Sequence, residues 1–374
     1  MIVNNKEIKL YTSFQADYLY GGGAILRYIL PHISRICNIE WKYIERKKAE
    51  KSLFPQILNI KIKGFPFLSY YPLINRFQSV YDRMWVLVWV LIESLILKKN
   101  DKIWLILEND MIDFGYFLLK IKKNLVVHLS IHDDCLYNYP SLQRNNEDKL
   151  RYIFSKATSI DVIGFNLKEK YLKLFGISSI IFRRGVKFHN YHKISSRSNN
   201  LKLVFVGSSH SDISWEKLLT FLEKLINYRF ELNIYNDQDP FQKRGFKKLD
   251  NLIIIHKGIV DEEIIINDSK DYDLAVFFWN DFFKNRLRYS VSTKVTTYLS
   301  CGIPMLASIH PDSEHYNLFK YGLAFNIENG SEDDFKNWYE NALFLINFRF
   351  YIDNFFNHQK MIESFLLQNI FNDR

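Results

Sequence analysis

The sequence predicts an α/β protein that contains two Rossmann-like, doubly wound domains. The chain has 374 residues, which exceeds the length over which a single hydrophobic core usually keeps growing. Short runs rich in Ile, Leu, Val and Phe alternate with amphipathic stretches, as expected for parallel strands joined by helices. Because this alternation occurs in two successive series, we expect two sheets rather than one.

A polar segment separates the two series of candidate strands. The first series comprises Glu7 to Tyr11, Lys102 to Leu107, Asn124 to Ile131, Ile160 to Ile163 and Ser179 to Phe182. The second comprises Lys202 to Val206, Glu231 to Tyr235, Leu252 to Ile255, Asp273 to Phe278, Pro304 to Ala307 and Leu323 to Ile327. Residues 187–200 lack apolar periodicity, which is typical of a connection. We therefore predict an N-terminal domain over residues 1–187, a linker over 188–200 and a C-terminal domain over 201–345.

Three further stretches predict helices. Apolar residues recur at helical spacing from Ser214 to Asn227, which indicates an amphipathic helix on the second sheet. The tail from Asp333 to Phe371 is helical in pattern and rich in aromatic residues, and within residues 346–374 we expect one helix to pack back on the N-terminal domain. The apolar run from Met84 to Leu97 is interrupted by Glu93 and is shorter than the ~20 residues of a spanning helix, so it predicts a buried helix.

Charge and cysteine content narrow the classes of function. The formal net charge is +9 and the pI is near 9.1, which favours anionic partners such as nucleotide-sugars or anionic lipid headgroups. No nucleic-acid-binding motif accompanies that charge, so we expect no nucleic acid partner. Cys37, Cys135 and Cys301 lie far apart, which argues against a disulfide framework or a zinc site and for a reducing compartment. Lys6, Glu7 and Lys9 interrupt what would be the apolar core of a secretory signal, so we expect a cytoplasmic protein.

Two clusters in the N-terminal half could contact a ligand. Gly21, Gly22 and Gly23 follow the first strand and lead into a candidate helix over Ala24 to Leu30, where a glycine turn and helical N–H groups could approach an anion or simply form a tight bend. His132, Asp133 and Asp134 follow the strand that ends at Ile131, at the edge where doubly wound sheets bind ligands. A His beside carboxylates can orient a hydroxyl or transfer a proton, although such residues can also only cap a turn.

The segment from Arg286 to Leu306 is the most informative one. It reads RLRYSVSTKVTTYLSCGIPML. Ser290, Ser292 and Thr293 are N-cap candidates, Lys294 falls in the first helical turn, and Gly302 ends the helix. A helix N-terminus with hydroxyl groups and a lysine suits a diphosphate, although the serines could serve only as caps.

This segment resembles the donor-binding element of GT-B glycosyltransferases of bacterial polysaccharide synthesis. The family pattern runs Ser-x-x-Ser-Lys-Leu-x-Glu-Tyr-Leu-Ala-x-Gly-x-Pro-Val-Leu-Ala. The matching residues are Ser290, Lys294, Tyr298, Leu299, Gly302, Pro304, Leu306 and Ala307. Phe205 to Gly207 resembles the opening strand and turn of the family's C-terminal domain, and Arg184 to Val186 resembles the Asn-Gly-Val that closes its N-terminal domain. The resemblance extends over nearly the whole chain and implies two domains that face each other across a cleft.

The chain also departs from the family pattern. Members resembling family four carry two glutamates eight residues apart, and the later glutamate contacts the donor ribose. Here Thr297 occupies that later position and Tyr289 the earlier one. The Arg and Lys that follow the first glycine of the family's C-terminal domain are also missing, because Gly207 is followed by Ser208 and Ser209. The resemblance therefore leaves Lys294 as the expected cation on the donor diphosphate.

The resemblance implies a hexosyltransferase-like, metal-independent glycosyltransferase of capsule or O-antigen synthesis. Its co-substrate would be a nucleotide-diphospho-sugar, with no other cofactor, and its acceptor a glycan or lipid-linked molecule at an anionic membrane. The expected donor-site residues are Gly207, Ser208, Ser209, Ser290, Ser292, Thr293, Lys294 and Thr297. His132 and Asp133 are the catalytic candidates, and Gly21, Gly22 and Gly23 would lie on the acceptor or sugar side. A catalytically degenerate binding subunit and a nucleotide-sugar isomerase on the same fold are the alternatives.

Overall fold

A computed structural model describes residues 7–13, 21–45, 58–63, 72–108, 110–136, 143–187, 199–207, 212–236, 239–241, 246–279, 288–340 and 343–368. The chain divides into two compact units. The first contains Met1–Arg184 with Gln359–Arg374, and the second contains Gly185–His358.

The first unit is built on a seven-stranded parallel sheet. Its strands are β1 (Glu7–Thr12), β2 (Asn38–Glu45), β3 (Leu58–Lys63), β4 (Lys102–Ile106), β5 (Val126–Ile131), β6 (Ser159–Val162) and β7 (Ile180–Ile181). The connecting helices are α1 (Gly21–Ile33), α2 (Pro72–Ile96), α3 (Asp110–Ile121), α4 (Gln143–Lys156) and α5 (Phe165–Phe175). The strand order is β3-β2-β1-β4-β5-β6-β7, so the direction of winding reverses between β1 and β4.

The second unit repeats this plan with six parallel strands. They are β8 (Asn200–Val206), β9 (Arg229–Tyr235), β10 (Leu252–His256), β11 (Leu274–Trp279), β12 (Met305–Ile309) and β13 (Ala324–Asn326). The helices are α6 (Asp212–Lys224), α7 (Glu262–Asp268), α8 (Thr293–Cys301), α9 (Asn317–Lys320), α10 (Glu332–Tyr339) and α11 (Phe344–Phe355). The order β10-β9-β8-β11-β12-β13 is that of a dinucleotide-binding sheet, with its switch point between β8 and β11. The predicted α/β fold with two doubly wound sheets is confirmed.

Two strands of the first sheet were not predicted. β2 reads NIEWKYIE and β3 reads LNIKIK, so both contain charged residues where a strand buried on two faces is usually apolar. Lys42 of β2 is nevertheless buried, because its ammonium bonds both carboxylate oxygens of Glu93 at 2.8 Å. This ion pair joins β2 to α2.

The prediction of a buried helix over Met84 to Leu97 was wrong. α2 is a 25-residue helix that buries Val86, Trp89, Val90 and Glu93 while exposing most of the other apolar side chains of that stretch. The length of the apolar run identified the helix, but so apolar a run could not indicate which face turns inward. Within the described residues, no helix has both the length and the hydropathy to cross a membrane.

The aromatic tail forms α10, α11 and a last helix, α12 (His358–Leu366). Phe335 and Tyr339 of α10 are buried in the core of the second unit. Phe365 of α12 packs in the first unit, with its ring centroid 5.3 Å from that of Trp104 and 4.2 Å from that of Phe182. The tail thus contributes side chains to both cores.

The two compact units divide the chain somewhat differently from the predicted domains. The division follows Arg184 rather than residue 187, and the second unit continues through α11 to His358. A backbone hydrogen bond from Val186 N–H to the Phe356 carbonyl, of 2.8 Å, joins the beginning of the second unit to its end. Most of the predicted linker, residues 188–198, lies outside the described residues.

Candidate functional site

The start of α8 lies at the carboxyl edge of the second sheet. Ser292 is the N-cap, and its hydroxyl oxygen accepts the Lys294 backbone N–H at 3.3 Å. Gly302 ends the helix in the left-handed conformation, with a φ of 65°. The helix therefore ends at the predicted glycine, and Ser292 is the one of the three predicted N-cap candidates that caps its start.

Tyr298 fixes α8 to the central strands of this sheet. Its hydroxyl oxygen accepts the Val206 N–H at 3.0 Å, and the hydroxyl donates to the Val276 carbonyl at 3.1 Å. Val206 ends β8 and Val276 lies in β11, so one side chain bridges the switch point. The N-terminus of α8 is thereby held beside the edge where such sheets bind ligands.

Lys294 lies against the first turn of this unit. Its ammonium nitrogen is 4.7 Å from the ring centroid of Phe205, a cation–π contact. Gly207 has a φ of +77°, and a Cβ at this position would lie 3.2 Å from the Lys294 Cε, so glycine allows the lysine to pack against the backbone. Burial lowers the pKa of Lys294 to about 7, because the charged form loses hydration. A bound anion would restore the charged form.

His315 supports the loop before α8. Its Nε2 accepts the Ser292 backbone N–H at 2.8 Å, and its ring lies edge-on to Phe277 and Trp279. This contact requires that Nε2 carry no proton. Sequence reasoning missed His315, because it lies 23 residues beyond Ser292 and only the fold brings the two together.

Thr297 is paired with a carboxylate from another helix. Its hydroxyl donates to Glu262 Oε1 at 2.6 Å, and Thr297 itself is buried. Glu262 stands in the first turn of α7. The carboxylate that the family pattern places at position 297 is missing from that position, yet a carboxylate lies beside it. Sequence reasoning missed Glu262, which a local motif could not reveal at a separation of 35 residues.

The other predicted donor-site residues lie around the same helix start. Ser290 is buried and lies in the loop before the N-cap residue, Ser292. Thr293 is half-buried and is the first residue of α8. Ser208 and Ser209 lie outside the described residues. The fold thus brings Gly207, Lys294 and the loop before α8 together, and adds Glu262 through Thr297.

In the first unit, His132 directly follows β5 and is only 4% exposed. Neither ring nitrogen has a hydrogen-bond partner among the described residues. Burial lowers the pKa of His132, while the negative charges of Asp161 and Asp133 oppose that shift. A buried imidazole with two unsatisfied nitrogens is costly unless a ligand or water completes it. It is therefore a candidate for contact with substrate.

The neighbours of His132 have different surroundings. Asp133 is half-buried. Asp134 is fully buried, paired with the Lys170 ammonium, and accepts the Tyr171 hydroxyl at 3.2 Å. Asp134 therefore fixes the turn after β5 to α5.

The three glycines were expected in a turn that leads into a helix at Ala24. Instead, Gly21, Gly22 and Gly23 form the first turn of α1 itself. Glycine costs helix stability relative to other residues. Within the parts of the chain that the structure describes, no group of three or more His, Cys, Asp or Glu side chains could hold a metal ion.

No protein-family model matches the sequence, and no curated protein sequence matches it either. Solved structures do match. An α,α-trehalose-phosphate synthase (UDP-forming) from Burkholderia vietnamiensis is 8% identical with a TM-score of 0.65, over 97% of this chain and 99% of that one. A trehalose-6-phosphate synthase from E. coli bound with UDP-2-fluoro glucose is 11% identical with a TM-score of 0.57, over 98% and 96% of the two chains.

MurG from Acinetobacter baumannii is 10% identical with a TM-score of 0.54, over 96% of this chain and 99% of that chain. These neighbours are GT-B glycosyltransferases. The chain therefore has the GT-B fold from end to end. At these identities the likeness is one of fold, and the chemistry has to be argued from the residues.

Proposed function

We propose that this protein is a glycosyltransferase that moves a sugar from a nucleotide-diphospho-sugar to a glycan or lipid-linked acceptor in surface polysaccharide synthesis. The observation that carries the proposal is Lys294, packed against Gly207 and Phe205 at the start of α8. The structural neighbours support it, since one of them is a UDP-forming synthase and another is bound with a UDP-sugar.

The donor diphosphate would lie at the N-terminus of α8. The helix dipole favours an anion there, and Gly207 lets the backbone approach closely. A diphosphate would raise the lowered pKa of Lys294, so that its neutral amine takes up a proton and becomes an ammonium. The same positive charge would stabilise the diphosphate as it departs from the sugar. Hexosyl transfer in this manner requires no metal ion.

The nucleoside would extend from the diphosphate toward Thr297. Thr297 is three residues beyond Lys294, or about 4.5 Å along a helix axis, and its hydroxyl orients the Glu262 carboxylate. A carboxylate would repel phosphate but accepts hydrogen bonds from hydroxyls well. We propose that Glu262 binds the ribose hydroxyls and so takes the role of the glutamate that the family places at position 297.

His132 and Asp133 are proposed to act on the acceptor or on the sugar hydroxyls. With its lowered pKa, His132 is neutral at pH 7, so one ring nitrogen can accept a proton and the other can donate a hydrogen bond. Asp133 would stabilise the imidazolium that forms. The N–H groups of Gly21, Gly22 and Gly23 are proposed to bind the acceptor or the transferred sugar.

The experiment that tests the donor site is calorimetric titration with UDP, GDP, CDP, ADP and dTDP. We expect one of them to bind the wild-type protein, and Lys294→Ala to weaken that binding by roughly 1.5–3 kcal/mol, the scale of a hydrogen bond to a charged group. Lys270→Ala, at an exposed lysine of the same unit, is the matched control. Failure of the wild-type protein to bind any nucleoside diphosphate would reject the proposal.

A further inference from the structure

The outward face of α2 is a continuous apolar stripe. Its exposed side chains are Met84, Leu87, Val88, Leu91, Ile92 and Leu95. Their spacing of three and four residues places them along one side of the helix. Leu91 is 58% exposed and Leu95 is 87% exposed. Single exposed apolar residues are common on proteins, but a stripe over three turns indicates a contact surface.

Between Met84 and Ile96 the charged residue of the helix, Glu93, lies on the inward face. Glu93 is buried, where it bonds the Lys42 ammonium at 2.8 Å and accepts the Tyr11 hydroxyl at 2.7 Å. An ordinary surface helix has the opposite arrangement, with charged residues outward and apolar residues inward. From Met84 to Ile96 the exposed side of α2 carries no charged side chain.

Basic residues lie at the C-terminal end of this stripe. Lys98 and Lys99 follow α2, and Lys122 and Lys123 follow α3. A backbone hydrogen bond of 2.7 Å from Asn100 N–H to the Asn124 carbonyl joins the two loops, so the four lysines are neighbours. The acid in this region, Asp101, is paired with Lys9 at 3.1 Å. The lysines therefore present net positive charge.

We infer that this face docks on an anionic lipid bilayer surface. The apolar stripe would enter the headgroup boundary while the lysines bind lipid phosphates, as interfacial helices do. The positive charge next to the stripe complements anionic headgroups, whereas a second copy of this chain would present the same apolar stripe and the same positive charge, with no complementary one. Membrane docking does not depend on the proposed transfer reaction, so either one can be disproved while the other holds.

Vesicle sedimentation of the full chain tests this inference. Wild-type protein should bind phosphatidylcholine vesicles that contain phosphatidylglycerol, and bind pure phosphatidylcholine vesicles much more weakly. The double substitution Leu91→Gln and Leu95→Gln should lower the partition coefficient at least about tenfold, because two apolar side chains no longer enter the bilayer. Lys98→Ala and Lys99→Ala should lower it by roughly fivefold per lysine and reduce its salt dependence.

The matched control is Ile226→Gln with Ile253→Gln, which removes two exposed apolar side chains from the second unit and should leave vesicle binding unchanged. All of these sites are exposed, so the variants should keep the wild-type melting temperature. Equal binding to neutral vesicles, or a loss of binding in the control, would overturn the inference. So would a lipid-free dimer that the Leu91 and Leu95 substitutions dissociate, since the face would then belong to a second copy.

Discussion

The proposed binding of the donor diphosphate depends on the protonation state of Lys294. Its pKa in the ligand-free protein is lowered to about 7 by burial, whereas a diphosphate beside it favours the protonated form. Above pH 7 the free protein must therefore take up a proton when the donor binds. We predict that nucleoside diphosphate affinity falls above pH 7, by at most about tenfold per pH unit.

The measurement is titration calorimetry at several pH values in buffers of different ionisation enthalpy, which reports proton uptake directly. Lys294→Met should bind more weakly and lose most of the pH dependence. Unfolding supplies a second check. At Lys294 the unfolded chain binds more protons than the folded one between pH 7 and about 10, so the ligand-free stability of wild type should rise with pH in that window relative to that of Lys294→Met. A pH-independent affinity would show that Lys294 does not hold the phosphate.

Substitution of Glu262 distinguishes recognition of the ribose from recognition of the phosphates. Glu262→Gln keeps the size of the side chain but removes the negative acceptor, so it should weaken nucleoside diphosphate binding by roughly 1–3 kcal/mol. Inorganic pyrophosphate has no ribose, and its binding should be unchanged or slightly tighter. Glu263→Gln changes the adjacent, exposed glutamate and is the control. Equal losses for pyrophosphate and nucleotide would mean that Glu262 acts only on the shape of the site.

Substitution of His132 distinguishes a catalytic role of this residue from a structural one. His132→Ala should preserve donor binding and lower the transfer rate by roughly 10²-fold or more, the scale for losing a group that handles a proton. Because the pKa of His132 is lowered, protonation of its imidazole should reduce the wild-type transfer rate at acidic pH, and this acid limb should be absent from the variant. Single-turnover rates and melting temperatures on one preparation decide the matter. A destabilised but fully active variant would assign His132 to the turn alone.

At the scale of elements, the sequence predicted what local chemistry determines. Gly302 marked the end of α8 correctly, and Ser292, one of three predicted N-cap candidates, marks its start, because capping depends on a few adjacent residues. β2 was missed because Lys42 looks like a surface residue until Glu93, 51 residues away, is placed beside it. The partnership of Thr297 with Glu262 was hidden for the same reason. Long-range pairing of polar groups is the information that one sequence does not show.

Breaking the Lys42–Glu93 pair by removing one partner is predicted to destabilise the packing of α2 on the sheet. Glu93→Leu would leave the Lys42 ammonium in a buried site without its main partner, and removing one member of a buried pair costs about 3–5 kcal/mol. The double variant Lys42→Met with Glu93→Leu should recover much of that loss, since apolar residues can replace a buried pair. Denaturant unfolding of the three proteins measures both effects. An unchanged stability in Glu93→Leu would contradict the account.

For the whole molecule, the assignment of the fold and the proposal of a function are supported by different observations. The two doubly wound sheets follow from alternating strands and helices, and the structural neighbours share them at about 10% identity. Such neighbours do not transfer their substrates to this chain. The proposed function depends instead on a few side chains at the carboxyl edges of the two sheets. Because Thr297 stands where the family pattern has a glutamate, a binding subunit without catalysis is the alternative.

Enzymatic sugar transfer by this protein is tested most directly by measuring the release of nucleoside diphosphate from a panel of nucleotide-sugars. The protein is incubated with each donor, with and without membrane lipid extract as a source of acceptor, and the released nucleoside diphosphate is quantified. We predict slow hydrolysis of one donor by the wild-type protein, faster release when acceptor is present, and neither with Lys294→Ala. A wild-type protein that binds a nucleotide-sugar tightly but releases no diphosphate under any of these conditions would contradict enzymatic transfer and identify the chain as a binding subunit.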